Sequence, residues 1–384
     1  MRPRNALNIA AAALACLAAA AAAQTQNAPP PTPASAPVWS LGSIDFSGFL
    51  DGYYSYNYNR PSNTANGQTN DLYNFNDKTD QFSLSALDLT LNHNPDPVGF
   101  HADLIAGRTN TLIHAASEKD TDNYIEQAYI SATPPKTHGS EFDFGQFVSS
   151  AGAEVIPAMN NWNYSRSLLF VWAVPYYHFG LRTSTPVTKT WTAGLQVVNG
   201  WNNVVANNGG VTIGLTSALT RTKYSWDLNY YTGPQNVDTQ KGYRNLIDTT
   251  LLLTPNAKFN AYANYDYGQN RSPASGSGST ALPASSAHWS GIAFAAHEQV
   301  TGKVALSGRY EYFDDNSGFS TGTSQDVQEA TGTFEYKWLQ GLLTRVEYRH
   351  DWSDIAFFHR GDTGRVDAQS TMTVAFIAFF GPKR

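Results

Sequence analysis

Between positions 44 and 58 the chain alternates with a period of two: Ile44, Phe46, Gly48, Leu50, Gly52, Tyr54, Tyr56 and Tyr58 share one parity, and Asp45, Ser47, Phe49, Asp51, Tyr53, Ser55 and Asn57 the other. Successive side chains of a strand point to opposite faces, so this period predicts a β-strand. Comparable segments recur at 82–93, 98–107, 124–132, 141–147, 178–184, 191–199, 212–219 and 224–233. They continue at 243–253, 259–268, 288–297, 304–313, 325–336, 342–351 and 371–380, which makes sixteen predicted strands.

One alternating strand does not separate a soluble sandwich from a membrane barrel, but the connections do. Short ones carry turn residues, as in Asn94-Pro95-Asp96-Pro97, Thr133-Pro134-Pro135-Lys136 and Thr254-Pro255-Asn256. Between them lie long ones, at 59–81, 108–123, 148–177, 269–287 and 352–370. An even number of strands with short and long connections in alternation is expected of an all-β, transmembrane, antiparallel β-barrel of the bacterial outer membrane. Its short turns and both termini would face the periplasm. The strand at 304–313 fits lipid contact on one parity (Val304, Leu306, Gly308, Tyr310, Tyr312) and water on the other (Ala305, Ser307, Arg309, Glu311). Aromatic residues gather near strand ends, where a ring meets both hydrocarbon and water: Tyr54, Tyr56, Tyr58, Tyr265, Tyr267, Trp226 and Tyr230.

Composition supports this picture. Of 384 residues 41% are apolar and 13% aromatic but only 15% charged, against about 25% charged in ordinary soluble domains. Yet the mean hydropathy is -0.37. Gly, Asn, Ser and Thr supply the missing polarity. Such aromatic content excludes disorder, and no apolar run after the N-terminus is long enough for a helical span. A formal charge of -6 argues against nucleic-acid binding.

Arg2 and Arg4 precede an apolar stretch at 6–23 that ends in Ala21-Ala22-Ala23, the pattern of a cleaved signal peptide. The expected organisation is a signal peptide at 1–23, a Pro-rich periplasmic segment at 24–43 and an outer-membrane barrel at 44–384. The single cysteine, Cys16, falls in the signal peptide, so the exported chain relies on its sheet and not on disulfides.

Two passages are distinctive. One runs from Phe144 to Arg182 as FGQFVSSAGAEVIPAMNNWNYSRSLLFVWAVPYYHFGLR; the other begins RYEYFDDNSGFSTG at Arg309 and resumes RVEYRHDWS at Arg345. Both resemble the β-barrel porin family called OmpL-like, and the likeness extends over about 44–380. The resemblance implies an outer-membrane pore whose partners are membrane lipid, small hydrophilic solutes and the barrel-assembly machinery. Analogy with general porins adds a homotrimer. One departure is the C-terminus, where Gly381-Pro382-Lys383-Arg384 follows the aromatic pair Phe379-Phe380.

Sixteen tilted strands enclose an aqueous channel, which makes passive diffusion of small hydrophilic solutes or ions the expected function. The connection at 148–177 would be the third extracellular loop. Phe170, Val171, Trp172, Val174 and Tyr176 are too apolar to leave in water. It is therefore expected to fold into the lumen and narrow it, with Glu154, Arg166 and Arg182 at the constriction; a hydrophobic lid or a subunit contact is the alternative. Strand parity directs Asp45, Asp51, His101, Asp103, Glu141 and Asp143 inward from the early strands, and Arg309, Glu311, Arg345, Glu347 and Arg349 from the late ones. Opposed acidic and basic arcs would set up a transverse field, with Arg345 and Arg349 favouring anions. The alternative is that these charges pair with one another.

No cofactor or metal is expected: there is no H-E-x-x-H, G-x-S-x-G or Walker A pattern. Asp314-Asp315-Asn316-Ser317-Gly318 departs from calcium-loop spacing and reads as a polar turn. Two other functions stay open, a structural or adhesive barrel with a blocked lumen and a rim hydrolase, although no enzyme is expected.

Overall fold

The computed structural model describes residues 40–41, 43–62, 68–114, 124–275 and 283–381. The expected signal peptide with Cys16, nearly all of the Pro-rich segment, and Pro382-Lys383-Arg384 lie outside the described residues.

The sixteen alternating segments are sixteen strands. The first four are β1 Ile44–Asn57, β2 Gln81–His93, β3 Val98–Ala106 and β4 Ile125–Ala132. They are followed by β5 Glu141–Val148, β6 Tyr177–Thr188, β7 Trp191–Val198 and β8 Thr212–Arg221. The second half begins with β9 Tyr224–Pro234, β10 Tyr243–Leu253, β11 Phe259–Ser272 and β12 Ser285–Gln299. It ends with β13 Val304–Asp315, β14 Gln325–Leu339, β15 Leu342–Ser353 and β16 Ala368–Phe380. Each strand pairs antiparallel with its neighbours in the chain, and β16 returns to β1 with Thr371 opposite Asn57 and Phe380 opposite Gly48. The sheet thus closes without a free edge, as a sheet in hydrocarbon must.

Burial follows parity and inverts the order of a soluble protein. Leu50, Leu87, Leu215, Ile247, Leu306, Val346 and Phe376 are exposed on the outside, whereas Asp51, Asp88, Asp248, Glu311 and Glu347 on the same sheet are buried inside. An apolar exterior around a polar interior is the lipid-facing arrangement. At the short-turn end, outward indoles donate to hydroxyls on the sheet, Trp191 to Ser217 at 2.9 Å, Trp226 to Thr249 at 2.7 Å and Trp338 to Thr344 at 2.8 Å. At the long-loop end Tyr230 donates to Asn245 at 3.0 Å and Tyr310 to Gln328 at 2.6 Å. These rings bury their bodies against the wall while keeping a polar partner, as interfacial aromatics do.

Strands reach beyond their predicted ends mainly on the long-loop side. There β11 and β12 continue as a ribbon in which Arg271 faces Ser286 and Ser272 faces Ser285. The apolar alternation stops where the membrane does, but the hydrogen-bond ladder has no reason to stop there. One short helix, α1 Arg108–Ile113, sits in the second long connection. Among the described residues no helix is long and apolar enough to cross a membrane.

Candidate functional site

The connection between β5 and β6, residues 149–176, makes little regular structure: a 3₁₀ turn at Ala158–Asn160 and a single wide turn at Leu169–Ala173. Its apolar residues Ile156, Leu168, Leu169, Phe170, Val174 and Tyr176 are buried. A buried segment without ladder partners must find others for its N–H and C=O groups, and it finds them on the barrel wall.

Glu347 on β15 accepts from the backbone N–H of Tyr164 at 2.5 Å and of Ser165 at 2.8 Å. Glu311 on β13 does the same for Leu168 and Leu169, both at 3.0 Å. Guanidinium groups take the carbonyls: Arg309 donates to Ser165 O at 2.8 Å, Arg345 to Ala158 O at 2.6 Å and Arg349 to Arg166 O at 2.8 Å. Further bonds run to the rest of the wall. Tyr164 donates to Asp51 on β1 at 2.8 Å, Asn163 to Thr333 on β14 at 2.8 Å and Gly152 N–H to Asp248 on β10 at 3.0 Å. Gln196 on β7 donates to Ser150 Oγ at 3.0 Å, Asn229 on β9 to Ser150 O at 2.9 Å and the Trp289 indole on β12 to Ala173 O at 3.0 Å. On β11, Tyr262 donates to Glu154 at 3.3 Å.

The inward charges of the late strands form one interlocked set. Arg309 lies 2.6 Å from Glu154, 2.8 Å from Glu329 and 2.9 Å from Glu311. Arg345 pairs with Glu335 at 2.8 Å, and Arg349 with Asp351 at 2.6 Å and Glu329 at 3.4 Å. Their side chains are 0%, 3% and 1% exposed, respectively. An anion-favouring basic arc open to water is therefore not what these residues form, because each arginine is covered by the loop and matched by carboxylates.

Glu154 and Arg166 are buried as well. Glu154 joins the Arg309 cluster and accepts from Ser167 N–H at 2.6 Å. Arg166 donates to Tyr164 O at 2.9 Å and to Ile156 O, and its guanidinium lies 4.7 Å from the Phe75 ring. Burial pulls the Arg166 guanidinium below its ordinary proton affinity and pushes the Tyr164 phenol well above its own. Both expected constriction charges thus hold the segment together instead of projecting into water. Arg182 differs: it pairs with Asp143 at 2.7 Å, lies over Tyr129 and Phe147, and keeps 24% of its side chain exposed. On that wall Asp103 accepts from His101 at 2.9 Å and from Gln127 at 2.6 Å, while Asp45 and Glu141 stay half-exposed.

Parity reasoning passed over Glu329, Glu335, Asp351 and Asp248, although the same rule points each of them inward. The first long connection could not be placed that way. Its Phe75 packs on Phe170 at 5.9 Å and Tyr176 at 5.4 Å, and Leu72 O accepts from the Trp172 indole at 3.1 Å. Asp315, in the turn with a faint calcium-loop pattern, spends its carboxylate on its own loop, accepting from the N–H groups of Phe319, Ser320 and Thr321 at 2.9, 3.0 and 2.7 Å.

Comparison with known proteins adds a family and a fold. The family model described as "Putative beta-barrel porin-2, OmpL-like" matches residues 43–380. None of the curated proteins matches the sequence. Among solved structures, the chain is similar to the anion-selective porin from Comamonas acidovorans, with 11% identity over 88% of this chain and 99% of that one and a TM-score of 0.54. The outer membrane channel DcaP of Acinetobacter baumannii gives 13% identity, the same coverages and a TM-score of 0.53. The trimer form of OmpT, an outer membrane protein of Vibrio cholerae, gives 12% identity over 88% and 99% and a TM-score of 0.51. At these identities the likeness is one of fold.

Proposed function

The chain belongs to the beta-barrel porin-2, OmpL-like family, and from that premise we propose a constricted porin in which residues 149–176 set the bore. It is an outer-membrane porin for passive diffusion, and the finer reading concerns the path. The single observation behind it is the unequal exposure of inward arginines: those of β13 and β15 are sealed under the loop, while Arg182 on β6 keeps 24% of its side chain in the open. Solutes would then pass along the wall of β3 to β7, by His101, Tyr129, Glu141 and Arg182, and not through the centre. Arg182 is the member of the expected trio Glu154, Arg166 and Arg182 that would face the solute.

Deleting 160–169 should raise single-channel conductance in planar bilayers; unchanged conductance and selectivity would overturn the constricting role. A barrel with a blocked lumen is the competing reading, favoured by the near-complete burial of Arg309, Glu311, Glu329 and Asp351. Liposome swelling with neutral sugars of graded size separates the two, because a blocked barrel admits none of them.

Three further features belong to the same proposal: export through a signal peptide cleaved after Ala23, insertion by the barrel-assembly machinery, and a homotrimer. The last extends to this chain what is described for the Vibrio cholerae protein.

A further inference from the structure

Above the loop-filled lumen, at the long-loop end of β10 to β12, lies a second cluster that none of the lumen charges joins. Arg244 is the inward residue near the start of β10. Its guanidinium carbon sits 4.9 Å from the Trp201 ring centre and 5.0 Å from that of Phe319. Its Nε donates to Asn270 Oδ1 at 3.1 Å. Neither terminal nitrogen has a hydrogen-bond partner among the described residues, and no carboxylate there pairs with it. Every arginine of β13 and β15 has a matching acid within 4 Å. Arg244 alone, among the inward arginines of the described strands, has none.

The surroundings hold this cation in place. Phe319 stacks on Trp289 with centroids 5.0 Å apart and planes at 11°, and Trp201 meets Trp289 edge-on at 6.1 Å and 82°. Trp289 can lie against the wall because Gly268 has no side chain; a Cβ there would fall inside the indole. The backbone at Trp201 is fixed by its main-chain N–H, which donates to Gln235 Oε1 at 2.9 Å, and that at Phe319 by its main-chain N–H, which donates to Asp315. With ring contacts on two sides and Nε engaged, the guanidinium offers only its terminal N–H groups. Two parallel donors in a plane are the geometry that suits a carboxylate or phosphate.

We propose that Arg244, flanked by Trp201 and Phe319 and backed by Trp289, is a capture site for small organic or inorganic oxyanions at the extracellular mouth of the barrel. The site stands directly over the lumen segment, since Trp289 also donates to Ala173 O at 3.0 Å. It rests on the porin reading only for its purpose, to concentrate anionic solutes where they enter; binding itself needs no conduction.

The test uses the whole protein in detergent, because two of the tryptophans lie in the site. Fluorescence is titrated with succinate, inorganic phosphate and trehalose, and folding of each variant is verified by its heat-dependent electrophoretic mobility. Succinate, phosphate or both should give a saturable change, and which of them does so identifies the oxyanion. Arg244→Gln should weaken that response by about tenfold or more, while Arg244→Lys, which keeps the charge but not the fork, should fall between them. An equal response in folded Arg244→Gln, or a saturable response to trehalose alone, overturns the proposal. Bilayer conductance is read separately: oxyanion binding that depends on Arg244 in a barrel that never conducts would remove the porin reading and leave the site standing.

Discussion

Replacing Glu347 with alanine isolates what the wall carboxylates do for residues 149–176. Glu347 accepts two adjacent backbone N–H groups, of Tyr164 and Ser165, and the Thr333 hydroxyl at 2.7 Å. Unlike Glu311 it belongs to none of the ion pairs within 4 Å, so the substitution strands no guanidinium. The barrel ladders of β14–β15 and β15–β16 use backbone groups alone and remain. What is lost is the acceptor for two buried donors, each costing about 1–3 kcal/mol when unpaired. Water can supply that acceptor only if the segment leaves its seat, so the released state gains about 2–6 kcal/mol relative to the seated one. At one decade per 1.4 kcal/mol its population rises roughly 30-fold to 10⁴-fold. Two assays follow the release. In planar bilayers Glu347→Ala should show larger and noisier single-channel steps than the parent. Limited trypsin digestion of the detergent-solubilised protein should cut after Arg166, which is buried in the parent. Glu347→Gln keeps one acceptor oxygen and should fall between. If folded Glu347→Ala conducts like the parent and resists trypsin at Arg166, then hydrogen bonds to the wall are not what seats the segment.

Other expectations can be checked in the same preparations. Arg182→Gln leaves Asp143 without its cation on a wall that also carries half-exposed Glu141, so reversal potentials in a salt gradient should move toward cation preference. Ile247→Lys puts a charge on the lipid-facing side midway along β10, at a cost of about 2–4 kcal/mol near the bilayer midplane; a lower urea midpoint for unfolding in lipid vesicles should report it. Asp315→Ala removes the acceptor for three backbone N–H groups of the loop bearing Phe319, so tryptophan emission should shift and oxyanion affinity should fall while the barrel stays folded.

The barrel was legible because each strand solves the same local problem. One face must dissolve in hydrocarbon, and the period of two records that demand residue by residue from Ile44 to Phe380. The alternation of short and long connections then orders the strands, since an antiparallel neighbour reached by a tight turn has only one place to go. The strand ends were less legible. Residues such as Gln269, Asn270, Ser285 and Ser286 continue the ladder above the membrane, where nothing requires one face to be apolar. The Arg244 cluster escaped for a different reason: Trp201, Arg244, Asn270, Trp289 and Phe319 come from five separate stretches and meet only after the barrel has closed.

Arg309, Glu311, Arg345, Glu347 and Arg349 are all buried, yet burial alone does not decide what a charge does. In an open lumen these residues would meet water and ions and act through their field. Covered by residues 149–176 they meet peptide groups instead, and a peptide group needs a partner of one polarity at each end: carboxylates take the N–H groups of residues 164, 165, 168 and 169, and guanidiniums take the carbonyls of residues 158, 165 and 166. Acids and bases alternate along β13 and β15, where the segment's donors and acceptors meet them, while β14 adds the carboxylates Glu329 and Glu335. A wall built to select ions by charge would favour one sign. A wall built to seat an irregular chain needs both, and on β13 to β15 both signs are buried together against it.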